Sequence, residues 1–407
     1  MTYQALEDIR VIEVCHYIAG PYCGKMFADY GANVIKIERP GTGDGARRLR
    51  PFAGDDPHPE KSGVFLNLNT NKRGITLNLK HEKGKKIFKE LVKTADIVIE
   101  NFQPGVMDKL ELGYEVLEKI NPGLVMTSIS NFGQDGPYRD YAMSELTINA
   151  VSGFMASCGL PEREPLKRGE NAESYQAGLT AFVASMGALF VSRFQGEGQH
   201  VDVSIMEAML GSVDNGARDK LSYLYSGELL ERHDPRVSAG YIMPECITPC
   251  KDGYVQWRAN SAWWPRYLNM LAGGDEEKRA ELEKRFPDLY DISKLDESLA
   301  VCLEWSMERT KQELMEEAQK YRVPCMKVST PQDLVEDKHF KAVNFFNEIE
   351  HPVAGRFLYP GVPVKLKGCP TQMNRPAPLL GQHNEEVFGE LGYNQGELAK
   401  LKEAGVI

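Results

Sequence analysis

The eight cysteines, at positions 15, 23, 158, 246, 250, 302, 325 and 369, include no CxxC pair. No histidine stands at ligand spacing from any of them. Neither a disulfide framework nor a metal site is therefore expected, and Cys246 and Cys250 read as reduced core thiols. Histidines are few, eight in all, and no Ser/His/Asp or His/His/carboxylate spacing recurs. His16, at the end of the first expected strand, reads as structural. The start MTYQALEDIRVIEV lacks a basic-then-apolar export pattern, and no apolar run approaches a membrane span, so the expectation is a cytoplasmic protein. Lys and Arg (48) are outnumbered by Asp and Glu (58), and a net charge of −10 excludes nucleic acid as the main partner. GxGxxG is absent, and the glycines of GTGDG (41–45) follow the second strand rather than the first, which reads as a plain loop.

What is present is an α/β pattern in a chain of 407 residues, long enough for two or more domains. VIEV (11–14), the small-residue turn AGPYCG (19–24), a helix and NVIKIERPGTGD (33–44) read as strand, helix, strand, the opening of a parallel sheet. Gly20 and Gly24 leave room for a close backbone approach, and the amides opening the helix present positive charge to an anion. Glu38-Arg39 closes the second strand, placing a guanidinium where a nucleotide phosphate would lie. Lys36, Arg47, Arg48 and Arg50 add local positive charge, and Lys72-Arg73 follows, on spacing alone a solvated turn.

The alternation continues through ITLNLK (75–80), a helix over 82–95, DIVIE (96–100), a helix over 104–120 and LVMTSIS (124–130). Ile87, Phe88, Leu91, Val92 and Ala95 share one helical face, which covers a sheet. ENFQPG (100–105) sits at a strand's carboxyl end, where open α/β sheets bind ligands. A helix over 172–194 is dense in Ala, Gly and Ser, and QHVDVSIME (199–207) reads as a further strand. From about 215 to 330 aromatic residues crowd together, which suggests a second, smaller domain. VPVKLKG (362–368) reads as strand, and a short helix closes the chain.

Taken in order, AGPYCGKMFADYGANVIKIERPGTGD, NLNTNKRGITLNLK, DIVIENFQPG, SNFGQDGPY, GEGQHVDVSIMEAML, RVPCMKVSTPQDL and APLLGQHNEEVFGELGY resemble the family III CoA-transferases. The resemblance implies a Rossmann-like large domain built from both chain ends (1–200 and 329–407). It also implies a linker over 201–224, a small domain over 225–328, and a ring-shaped subunit that interlocks with a second. It implies a CoA site lined by Ile18, Ala19, Arg39, Lys72, Arg73, Asn101 and Phe102. No cofactor is permanently bound; a CoA thioester and a carboxylic acid are the substrates.

The family's chemistry needs an aspartate that attacks the donor thioester. It lies four residues before a glycine at the start of a buried helix. Counting back from Gly178, that position holds Ser174, whose expected role is a helix N-cap. Glu173 keeps a carboxylate one residue away, pointing about 100° around the helix. A racemase reading fails as well, because Ser144 and Glu145 stand where those relatives carry histidine and aspartate. The implied role is a subunit without its own nucleophile, working beside an aspartate-bearing paralogue. Heteromeric members of this kind move CoA from succinyl-CoA to an aryl-substituted succinate such as benzylsuccinate. The alternatives are a homodimer using Glu173 and a CoA-binding scaffold without activity.

Overall fold

The computed structural model describes residues 3–212, 221–229, 232, 240–258 and 260–407. Residues 213–220 of the expected linker, and 230–231, 233–239 and 259 of the expected small domain, lie outside these. The chain divides into two compact units. The first takes the residues up to Ser157, Lys167–Leu229 and Ala342–Ile407; the second takes Cys158–Leu166 and the stretch ending at Lys341.

In the first unit, β1 (Arg10–Val14), α1 (Ala19–Asp29) and β2 (Asn33–Glu38) lead through α2 (Gly63–Leu68) to β3 (Arg73–Thr76). Then come α3 (Glu82–Val92), β4 (Ile97–Glu100), α4 (Val106–Lys109), α5 (Tyr114–Leu117), β5 (Val125–Ser130), α6 (Glu145–Val151), α7 (Ala172–Gln195), β6 (Gln199–Ser204) and α8 (Ile205–Ser212). The six strands form one sheet in the order β3-β2-β1-β4-β5-β6, and every pair is parallel. The runs VIEV, NVIKIE and IVIE are Val- and Ile-rich because helices cover both faces. One face packs Ile12, Ile35 and Val98 on Ile87, Phe88 and Leu91 of α3 and on Val387 and Phe388 near the C-terminus. The other packs Val11, Val34 and Ile99 on Phe27 of α1 and Ala177 and Ala181 of α7.

Several expectations change at element ends. The helix expected over 104–120 is two short ones, interrupted where Glu111 takes a positive φ of 58°. The strand over 199–207 stops at Ser204 and turns directly into α8. Residues 362–368 form no strand: Pro363 removes a ladder donor, and the pairing instead joins β10 (Phe346–His351) to β11 (Gly355–Pro360) as an antiparallel hairpin. Contrary to the sequence reading, one described helix, α7, is long and apolar enough to cross a membrane by length and composition. Its small residues hid this, being only weakly apolar one by one. They also let it pack closely: a Cβ at Gly178 would stand 2.5 Å from the carbonyl oxygen of Ala19 in α1. Its other flank carries Val183, Phe190 and Phe194, which are 62%, 65% and 74% exposed.

The second unit has its own antiparallel sheet, β7 (Ile247–Cys250), β8 (Gly253–Trp257) and β9 (Cys325–Lys327), in the order β7-β8-β9. Helices Trp264–Leu271, Leu295–Met307 and Lys311–Lys320 surround it. The aromatic texture of this region is core: Trp257 meets Tyr267 edge-on at 6.1 Å and Trp305 at 6.2 Å.

Candidate functional site

The sheet order reverses between β1 and β4, so their carboxyl ends diverge and open a crevice at a topological switch point. The chain leaving β1 is held there by the chain leaving β4. Asn101 Oδ1 accepts the His16 amide at 2.8 Å, and Asn101 Nδ2 donates to the His16 carbonyl at 2.8 Å. The His16 ring stands 5.8 Å from that of Phe102. Tyr17 has a positive φ of 65° and gives its amide to Asp44 Oδ1 at 2.8 Å. Gly45 is required beneath it, since a Cβ there would come within 2.5 Å of the Tyr17 ring.

Asp44 belongs to a lattice of buried charges under the crevice. Lys36 Nζ lies 2.9 Å from Asp44 and 2.8 Å from Glu13, and Lys72 Nζ lies 2.7 Å from Glu13. Glu38 takes Arg47 through both oxygens at 2.7 and 2.8 Å and accepts the Asp44 amide at 2.8 Å. Burial opposes ionisation of Asp44, yet Lys36, a hydrogen bond with His16 and the Ala46 amide outweigh it and hold the carboxyl well below the usual range. Burial also opposes the charge on Lys36, and Asp44 and Glu13 overcome it, pushing its pKa up. For Lys72 burial wins over Glu13, and its pKa falls to about 8.

GTGDG is thus more than a loop, since its Asp44 anchors the β1–α1 turn. The glycines of that turn also work differently from the sequence reading. A Cβ on Gly20 would collide with Cys15, and one on Gly24 with the Glu13 carboxylate. Their smallness serves the packing of α1 on β1 rather than a ligand's approach.

A cavity of about 230 Å³ occupies the crevice, walled by Val14, Ile37, Leu77, Leu79, Phe102 and Leu110. Arg39 and Lys80 stand at its rim, both exposed. Among the described residues neither forms an ion pair. Ile18 is buried as the residue preceding α1, and Ala19 opens that helix. The structure therefore brings Ile18, Ala19, Arg39, Asn101 and Phe102 to one edge of the sheet. It places Lys72 and Arg73 elsewhere. The Lys72 ammonium also donates to the Pro21 carbonyl at 2.7 Å and Asn69 Oδ1 at 2.9 Å, which with Glu13 fills its three donors inside the protein. Arg73 starts β3, at the opposite edge, and bonds Asn33 at 3.0 Å, Glu386 at 2.8 Å and Glu390. The cation at the crevice end of this strand is Lys80, which sequence reasoning missed. The cue was available: a strand's ligand end is its carboxyl end, and NKR precedes the strand.

Glu100 supports Phe102 from below, accepting its amide at 2.8 Å. Burial pushes its pKa up to about 7 against a hydrogen bond from Ser128, with Asp108 and Asp202 adding to the rise. Ser128 Oγ lies 2.8 Å from His200 Nε2. The folded carboxyl keeps its proton to about pH 7, whereas the unfolded chain releases it near pH 4.5. This contribution to stability is full below pH 4.5 and lost as pH rises through 7. Glu100→Gln should lack the loss, gaining up to about 3 kcal/mol relative to the parent between pH 5 and pH 8. Urea unfolding at both values tests this; parallel pH profiles for the two proteins would refute it.

At the start of α7, Ser174 is not the N-cap. The helix begins at Ala172 after Asn171, so Ser174 lies inside the first turn, half-buried, because Ala172 and Glu173 are good helix formers and extend it backwards. Glu173 is 1% exposed and accepts a hydrogen bond from Asn149, while its second oxygen is buried without a hydrogen-bond partner. Burial raises its pKa. Ser144 caps α6 through Thr147, and Glu145 pairs with Lys167 at 2.6 Å.

A doubly wound sheet whose switch-point crevice joins apolar walls to free cations defines a protein of the nucleotide-binding α/β class. The comparisons carry this further. The model of CoA-transferase family III matches residues 6–384. Formyl-CoA:oxalate CoA-transferase of Rhodopseudomonas palustris strain BisA53 is 31% identical over 425 residues, covering 99% of this chain and 97% of that protein. Its counterpart from Streptomyces avermitilis is 34% identical over 423 residues, covering 99% and 100%. Among solved structures, a CAIB/BAIF family protein from Brucella suis superposes with a TM-score of 0.84 at 30% identity, covering 96% of this chain and 100% of that one. The chain belongs to CoA-transferase family III. CoA thioesters are the substrates of such enzymes, with no permanent cofactor.

Proposed function

We propose that this chain is a cytoplasmic subunit of a CoA-transferase that holds CoA in the crevice, lacks its own nucleophile, and pairs with an aspartate-bearing paralogue in an interlocked heteromer. The observation that carries the reading is the start of α7. Ser174 occupies the position of the family's aspartate, and a serine without a neighbouring base is a poor acyl carrier. Glu173 is a weak substitute, because a buried carboxyl with a raised pKa and an amide on one oxygen is kept from attack. In the aspartate-bearing subunit the carboxylate would attack the thioester carbonyl and expel CoA thiolate. The thiolate would then attack the aspartyl carbonyl of the mixed anhydride, releasing the donor acid as carboxylate and leaving an aspartyl-CoA thioester, and the incoming acid would repeat the steps in reverse.

In this reading CoA contacts Ile18, Ala19, Arg39, Asn101 and Phe102, with Lys80 in the place first given to Lys72 and Arg73. Two cations at the rim suit its phosphates. The exposed flank of α7 supports a partner, since it leaves Val183, Phe190 and Phe194 largely in water. The relatives named above act on formyl-CoA and oxalate, so oxalate stands ahead of benzylsuccinate as the acid to try.

The test is CoA exchange from formyl-CoA or succinyl-CoA to oxalate, succinate or benzylsuccinate. The chain is expected to be silent alone and to bind CoA; turnover should appear only after co-expression with the paralogue. Turnover by the chain alone, with hydroxylamine trapping label at Glu173, would overturn the proposal.

A further inference from the structure

Across Phe102 from the CoA crevice lies a second cavity, of about 140 Å³, in the same unit. We propose that it is a carboxylate-binding subsite, in which Arg139 and Ser130 seat the acid that exchanges CoA; the inference rests on the transferase reading given above. Its polar lining comprises Asn101, Ser130, Asn131, Arg139 and Asp140.

Two of these groups are unspent. Ser130 ends β5 at 5% exposure, and its hydroxyl has no hydrogen-bond partner. The Nε of Arg139 is buried and equally unpartnered. Among the described residues Arg139 meets no carboxylate within ion-pair distance. A buried donor left idle costs roughly 1–3 kcal/mol, more for a charged group, so two around one cavity mark a place where an acceptor belongs. The Arg139 Nη2 also lies close over the backbone of ENFQPG, 3.2 Å from where a Gly105 Cβ would stand; Gly105 has a φ of +77°.

Ala19, the first residue of α1, lines the same cavity. That helix has 11 residues, no side-chain cap and no acidic residue in its first turn. Its amide end and a guanidinium fork together match a single carboxylate. Asp140, exposed in the lining, opposes any anion there, a diphosphate more than a carboxylate. The volume suits a small acid, at several times the roughly 30 Å³ share of one water.

The position also fits the chemistry. Gly178 of α7 packs against the carbonyl of Ala19, and Ser174 lies one helical turn before it, about 6 Å along the axis. Ala19 thus touches both this cavity and α7, the helix that carries the nucleophile elsewhere in the family.

The experiment is calorimetric titration of the full chain with oxalate, succinate, inorganic pyrophosphate and CoA. Arg139→Gln is expected to weaken binding of the carboxylates about tenfold or more and to leave CoA within about twofold. Ser130→Ala should weaken the carboxylates less, and Lys93→Gln, on an exposed helix face, should change nothing. Both cavity positions are unpaired in the fold, so matching unfolding curves will accompany the titrations. The proposal is overturned if neither acid binds the parent chain, if Arg139→Gln binds them normally, or if CoA and pyrophosphate weaken in parallel. A parent chain that binds CoA but neither acid refutes only this subsite; a parent chain that binds no CoA at all refutes the transferase reading.

Discussion

Lys36→Met is expected to destabilise the first unit by about 3–5 kcal/mol, a large share of the stability of any domain. The ammonium sits 2.9 Å from Asp44 and 2.8 Å from Glu13, with all three side chains fully buried. Methionine fills the same space without the charge, leaving Asp44 with hydrogen bonds but no cation. The loss reaches the crevice, because Asp44 holds the Tyr17 and Ala46 amides. The acid limb should move as well. With its pKa depressed, Asp44 contributes stability above the ordinary carboxylate range and loses it as pH falls. Without Lys36 that pKa climbs, so the variant should unfold at a higher pH than the parent. Urea unfolding at pH 7 and acid titration by circular dichroism measure both effects. A cost below about 1 kcal/mol would show that the lattice is replaceable.

Ser174→Asp is expected to make the chain form a covalent CoA adduct. Aspartate suits the first turn of a helix, where the amide dipoles favour negative charge, so the fold should accept it. Those dipoles also keep the carboxylate ionised, as attack on a thioester requires. Exchange between formyl-CoA and oxalate should rise by roughly a thousandfold over the parent, about 4 kcal/mol of barrier. Intact-protein mass should show the added CoA, and hydroxylamine should release it. A parent chain as active as the variant would refute the expectation.

Much of this was legible in the sequence. The parallel sheet is written in short Val- and Ile-rich runs, which only a strand covered on both faces needs. ENFQPG fell at a ligand end because β4 is short and its helix partners are obvious. The charge lattice was hidden: Glu13, Lys36, Asp44 and Lys72 come from different elements, and nothing in their spacing says that they meet. The same blindness put Lys72 and Arg73 beside the crevice. A basic pair beside a strand looks alike at either end, and only the strand's direction puts Lys80 at the crevice end. Arg139 gave no cue at all, since SNFGQDGPY entered only as a motif of the family resemblance and stops short of it. The N-cap expectation for Ser174 failed by three positions, more than the one or two residues by which helix ends are uncertain and enough to change what its hydroxyl faces.

The bare flank of α7 bears on how a cell must handle this polypeptide. The Phe190 and Phe194 rings meet at 4.4 Å, tilted by 45°, with most of their surface in water, an adhesive strip for any misfolded neighbour. Chain made without anything to cover that strip should therefore end in inclusion bodies or proteolysis.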